Sequence, residues 1–142
     1  LFPCPSVTPA DQALVERVIA TTGQFIWVQQ ESHLDAVTAL SGSGPAYVFY
    51  FLEAMTEAGV GMGLSAEQAH QLAVATFSGA SSLAAASAEP VEVLRQRVTS
   101  KGGTTYAAIT SLEASGVKAS FVKAMQAAEV RARELGDEFG KA

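Results

Sequence analysis

Gln68-Ala69-His70-Gln71-Leu72-Ala73-Val74-Ala75-Thr76-Phe77-Ser78-Gly79-Ala80-Ser81-Ser82-Leu83-Ala84-Ala85-Ala86-Ser87-Ala88 carries no Asp, Glu, Lys or Arg. It is long enough, by the ~20-residue criterion, to cross a bilayer. Its Gln, His, Thr and Ser side chains are too many for a helix facing lipid. The stretch reads instead as a helix covered on most sides by other helices. Ser65 and Gln68 have the spacing of a capping box, in which each side chain satisfies a free N–H of the other residue. Ala69, Leu72, Ala73, Thr76, Ala80, Leu83 and Ala84 then fall along one face. Small residues on that face let backbones approach closely, so the fold is expected to be tightly packed helices.

Composition agrees. The chain has 142 residues, 49% hydrophobic against 8% aromatic, with 12 glycines and 26 alanines. That fits one domain able to fill a core, not a disordered segment. A single cysteine cannot pair within the chain, which excludes a disulfide scaffold. A net charge of −5 argues against nucleic-acid binding, which needs clustered Lys and Arg. No basic-then-apolar leader is visible. The chain opens Leu1-Phe2-Pro3 instead of on Met, and it is expected to be a piece of something longer.

On the N-terminal side, three of the five prolines fall within the first nine residues, an extended lead-in. Thr8 reads as an N-cap, with Pro9 at the first helical position and Asp11 three residues beyond the cap. Leu14, Val15, Val18 and Ile19 form the apolar face of a helix that Gly23 closes. Phe25-Ile26-Trp27-Val28 reads as a short strand, which needs a partner to be stable. A short helix is expected from Leu34 to about Leu40, an interruption at Ser41-Gly42-Ser43-Gly44-Pro45, and a longer helix from Pro45 to about Ala58. On the C-terminal side, Pro90 starts a short helix. Ser100-Lys101-Gly102-Gly103 is a loop, Thr104 to about Ser115 is helical, and a last helix carries Val117, Phe121, Met125, Ala128, Ala132 and Leu135 at spacings of three and four.

Chemistry concentrates at Thr99-Ser100-Lys101-Gly102-Gly103-Thr104-Thr105. Glycines let successive N–H groups converge, and the helix start adds partial positive charge. Ser100, Thr104 and Thr105 can add side-chain donors, which suits a carboxylate or a phosphate. An ordinary helix–helix loop, with Gly for the sharp turn and Thr for the cap, explains the same residues. The order differs from a Walker loop, because Lys101 precedes the glycines. Ser41 to Pro45 permits close approach of a ligand or of another helix, though a cap followed by Pro explains it as well. Tyr47 and Tyr50 could place hydroxyls nearby, or could belong to the core. His33, His70 and Cys4 lack partners at catalytic or metal spacing, and Glu53 with Glu57 reads as a solvated carboxylate pair. No metal site is expected. Any redox step would be carried by a cofactor.

These segments together resemble the C-terminal part of pyrroline-5-carboxylate reductase, over nearly the whole chain. The family's interdomain stretch stands at Ala36 to Tyr47, as Ala-Val-Thr-Ala-Leu-Ser-Gly-Ser-Gly-Pro-Ala-Tyr. Its signature stands as Pro90, Leu94, Val98, Thr99, Ser100, Gly102, Gly103 and Thr105, followed by Ala108, Ile109, Leu112 and Glu113. Position 101, often proline in the family, is Lys here.

The resemblance implies a mainly α fold, a helical dimerisation domain of the 6-phosphogluconate-dehydrogenase C-terminal type over residues 34–142. Residues 1–33 would be the last helix and strand of an absent α/β Rossmann domain. That absent domain would hold most of the NADPH or NADH, and no metal is implied. The reaction implied is hydride transfer to the C=N bond of 1-pyrroline-5-carboxylate, giving proline. Gly102, Gly103, Thr104 and Thr105 would bind the substrate, with Thr105 as the catalytic donor and Ser100 holding the carboxylate. Ser43, Gly44 and Pro45 would lie beside the cofactor. The implied partner is a second copy, in an intertwined homodimer or a higher assembly of dimers, without nucleic acid or membrane, in the cytoplasm. The alternative is the dimerisation module of a related imine reductase or dehydrogenase.

Overall fold

The computed structural model describes residues 1–140. The first helix, α1 (Pro9–Ile19), forms where the local chemistry directs it. The Thr8 hydroxyl oxygen accepts from the Asp11 N–H at 3.3 Å, and the Asp11 carboxylate accepts from the Thr8 N–H at 2.9 Å and the Thr8 hydroxyl at 2.6 Å. The hydroxyl first, and the backbone N–H second, hold the Asp11 carboxyl below its usual range. The Thr21 and Thr22 hydroxyls donate back to the Val18 and Ile19 carbonyls, so the helix stops before Gly23.

The strand expected at Phe25–Val28 does not form, and the described residues contain no strand. Val28 donates to the Leu1 carbonyl at 2.8 Å, and the Leu1 amine donates to the Ile26 carbonyl at 2.8 Å. The pairing cannot lengthen into a ladder, because Pro3 and Pro5 bring no N–H to it. Trp27 is instead tied to α1, its indole N–H donating to the Glu16 carboxylate at 2.6 Å.

α2 (His33–Val37) runs without a break into a π-helical turn, Thr38–Gly42. The Ser43 N–H reaches back five residues to the Thr38 carbonyl at 2.9 Å, so the expected interruption is a widened coil. Ala39 is buried within it. Leu1–Ser43, with residues 124–140, forms one compact unit, and Gly44–Lys123 forms another.

In the second unit α3 (Gly44–Gly61) and α4 (Ala66–Ala86) pack as a helical hairpin. Gly63 ends α3 in a left-handed conformation, φ 99°, with Leu64 donating to the Gly59 carbonyl at 3.1 Å. That is the glycine-capped Schellman exit. Ser65 and Gln68 then complete the capping box, at 3.0 and 3.1 Å. The hairpin core is made of small residues, Gly59, Ala69 and Ala73. Next come α5 (Val91–Arg97), α6 (Thr104–Ala114) and α7 (Val117–Phe139). Tyr47 and Phe51 of α3 set their rings edge-on to Phe121, at 5.6 and 5.4 Å.

The large apolar side chains are mostly uncovered. Phe49 is 61% exposed, Tyr50 70%, Leu72 56% and Leu83 57%. No described helix is long and apolar enough to cross a membrane, α4 included.

Candidate functional site

The Ser100–Gly103 loop is a tight turn. Gly103 N–H donates to the Ser100 carbonyl at 3.0 Å, and Gly102 at the third position has φ 78°. These are the marks of a type II turn, whose third residue needs a positive φ and whose second tolerates Pro. Lys101 occupies that second position. A Cβ on Gly103 would stand 3.2 Å from the Ser100 carbonyl oxygen. One glycine is therefore required by conformation and the other by clearance.

The turn changes the donor inventory read from the sequence. Gly103, expected to offer its N–H outward, spends it on Ser100. It stands at the N-cap of α6 with no side chain to satisfy the helix start. The N–H groups of Thr104, Thr105 and Tyr106 thus open the helix without a capping acceptor, and the helix dipole adds to them. The Thr99 hydroxyl is committed to the Arg95 carbonyl at 2.6 Å. Ser100, Thr104 and Thr105 are exposed. The loop therefore gathers N–H groups and hydroxyls at one end of α6, with the exposed Lys101 in the turn ahead of it. This set can hold an anion. It contains no base or nucleophile of the His or Cys type.

Ser43 closes the first unit, with its N–H already committed to Thr38. Gly44 and Pro45 begin α3 in the second unit, and a Cβ on Gly44 would meet nothing within 4 Å. Tyr47 is half-buried against Phe121, a packing position, whereas Tyr50 is exposed. His33, His70 and Cys4 are exposed, and the described residues contain no cluster able to hold a metal. Glu53, Glu57 and His70 do share the wall of an open groove with Phe49, Leu52 and Thr56.

Two features escaped the sequence reading. Arg95 of α5 and Glu113 of α6 form an ion pair at 3.3 Å. They lie 18 residues apart on either side of the loop, where no periodicity links them. Beneath them an apolar groove of about 450 Å³ has Phe51, Ile109, Leu112 and Phe121 in its walls. Only the signature position of Glu113 hinted at this region.

A chain of helices that leaves so much apolar surface uncovered has the character of an association domain. A family model described as pyrroline-5-carboxylate reductase dimerisation matches residues 31–135. The chain belongs to that family. The pyrroline-5-carboxylate reductase of Pseudomonas aeruginosa is 43% identical over 142 residues, covering 99% of this chain and 52% of that protein. The enzyme of Corynebacterium melassecola is 46% identical over 122 residues, covering 86% and 45%. Among solved structures, a pyrroline-5-carboxylate reductase from Coxiella burnetii aligns with a TM-score of 0.90 at 42% identity, over 94% of this chain and 50% of that one. The Plasmodium falciparum pyrroline carboxylate reductase, solved with NADP bound, aligns with a TM-score of 0.85 at 32% identity, over 95% and 52%. The chain spans about half the length of the curated relatives it matches.

Proposed function

We propose that this chain is the dimerisation and substrate-binding half of an NAD(P)H-dependent reductase that converts 1-pyrroline-5-carboxylate to proline. The observation that carries the reading is the uncapped start of α6 behind the Ser100–Gly103 turn, in a chain of this family. Residues 34–142 would be the helical domain and residues 1–33 the tail of a dinucleotide-binding domain that takes most of the cofactor. The proposed partner is a second copy of the chain, in an intertwined dimer. The exposed Phe49, Tyr50, Leu72 and Leu83 are large apolar side chains of the kind such a partner covers.

In this reading the substrate carboxylate lies against the Thr104 and Thr105 N–H groups, with the Ser100 hydroxyl as a further donor. Gly102 supplies the turn, and Gly103 keeps the cradle clear of side chains. The Thr105 hydroxyl hydrogen-bonds the ring nitrogen of the substrate, donating to the neutral imine and accepting from it once it is protonated. Nothing stands within 4 Å of the place a Cβ on Gly44 would take, which leaves its backbone open to a flat ring. Ser43, Gly44 and Pro45 are this chain's own candidates for that contact. A nicotinamide bound there would supply a hydride to the C=N carbon. The C=N π electrons pass to nitrogen, so a ring nitrogen already protonated needs no further acid. That agrees with a loop whose groups are N–H, hydroxyl and ammonium.

The test joins this chain to its dinucleotide-binding half and follows NADPH oxidation and proline formation with pyrroline-5-carboxylate. Stoichiometric proline is expected. A preparation that binds NADPH but makes no proline overturns the assignment. Turnover of a different cyclic imine in that preparation would favour the related imine reductase.

A further inference from the structure

Arg95 makes three connections that bear on the loop. Its carbonyl accepts from the Thr99 hydroxyl at 2.6 Å and from the Val98 N–H at 3.3 Å, which fixes the entry to the turn. Its guanidinium reaches Glu113 at 3.3 Å, near the far end of α6. Glu113 lies nine residues beyond Thr104, roughly 13 Å along the helix axis at the usual rise. α6 is thus attached to α5 at two separated places, through the loop at its N-terminus and through the ion pair near its C-terminus. A helix held at one end can swing; a helix held at both ends has a direction.

The other ion pairs among the described residues do not join two helices. Arg97 pairs with Glu89 just ahead of its own helix, and Arg131 and Arg133 pair within α7. Arg95 and Glu113 line an open, largely apolar groove together with Glu92 and Lys118, so no packed side chain fills the space beside the pair. We propose that Arg95 and Glu113 are positioning residues, a strut that sets the direction of α6 and so aims the Thr104, Thr105 and Tyr106 N–H groups at the substrate carboxylate. The role in substrate binding rests on the reductase reading above; the strut itself does not. Both side chains are substantially exposed, 45% and 66%, so the pair acts through orientation and contributes little stability.

The test uses the protein that carries this chain with its dinucleotide-binding half, and the variants Arg95→Gln, Glu113→Gln and the double swap Arg95→Glu/Glu113→Arg. Each single variant should raise KM for pyrroline-5-carboxylate by about two- to fivefold, the scale of an exposed ion pair. The NADPH KM should be unchanged, and the swap should restore the substrate KM. Equal rises in both KM values, or a swap no better than the singles, overturns the proposal. Residual dipolar couplings on this chain read the strut without catalysis. Each single variant should turn α6 relative to α5, and the swap should turn it back. If the unaltered protein makes no proline, the reductase reading fails and the couplings alone decide. An α6 direction unchanged in both single variants sinks the strut.

Discussion

A methyl group on Gly59 would stand 2.7 Å from the Ala69 Cβ, so α3 and α4 meet where neither backbone leaves room for one more carbon. Ala69 is buried to 3% exposure at this crossing, and Ala73 one turn on to 2%. Gly59→Ala must therefore push the two helices apart. The overpacking cost of about 1–3 kcal/mol offsets the ~1 kcal/mol gained in helix propensity, for a net loss of up to about 2 kcal/mol. Gly61→Ala, two residues on, meets nothing within 4 Å and should cost nothing comparable. Urea denaturation of the two variants side by side checks this.

The same hairpin carries Phe49 and Leu72, both more than half exposed. Covered by a second copy, they are anchors of the kind that dominate interfaces. At micromolar concentration the chain should sediment as a dimer. Phe49→Glu or Leu72→Glu should weaken association at least ~100-fold, about 2.7 kcal/mol. Sedimentation equilibrium reads both, and an unaltered chain that stays monomeric there removes the basis for the dimer.

What could be read from the sequence was local. The Thr8–Asp11 and Ser65–Gln68 caps each keep both partners within one turn, and both formed as read. Phe25–Val28 has strand residues, yet a strand is settled by its partner, and the available partner contains Pro3 and Pro5. Serine and glycine at 41–44 suggested a break in the coil where a π turn carries it on, since composition does not distinguish a wide turn from a loop. The face through Ala69, Leu72, Ala73 and Leu83 was expected to point inward. Ala69 and Ala73 are buried while Leu72, Ala80 and Leu83 are exposed, because periodicity finds an apolar face without saying which chain covers it. At the loop, the two glycines were legible. The use of the Gly103 N–H depends on the sign of φ at Gly102, and the Arg95–Glu113 pair depends on how two helices cross.

The turn itself can be tested by substitution. Gly102→Ala forces an L residue to φ 78°, which should cost about 1–2 kcal/mol. Lys101→Pro should act the other way, stabilising by about 0.4–1 kcal/mol, because the second position of a type II turn already has proline's φ. Thermal denaturation orders the variants. A destabilising Lys101→Pro would contradict the turn geometry.

Asp11 gives α1 a pH dependence. Its carboxyl is held below the usual range, so the folded state keeps the proton off more strongly than the unfolded chain does. The cap is then fully present above about pH 4 and is lost as pH falls through the lowered value. Carbon-13 shifts of residues 9–19 should show α1 fraying in that acid window. Asp11→Ala should fray at neutral pH and lose the acid step.

Thr105 separates the substrate role of the loop from a purely structural one. Its side chain is exposed at the second position of α6, so removing the hydroxyl leaves no cavity and breaks no intrachain bond among the described residues. In the joined protein, Thr105→Ala should lower kcat/KM for pyrroline-5-carboxylate by the value of one unmade hydrogen bond, about 1–3 kcal/mol. Thr105→Ser keeps the donor and should recover most of that loss. The NADPH dissociation constant should stay put in both, because the hydroxyl is assigned to the substrate. If Thr105→Ala weakens NADPH as much as it weakens turnover, the residue belongs to the cofactor side of the cleft and the assigned role is wrong.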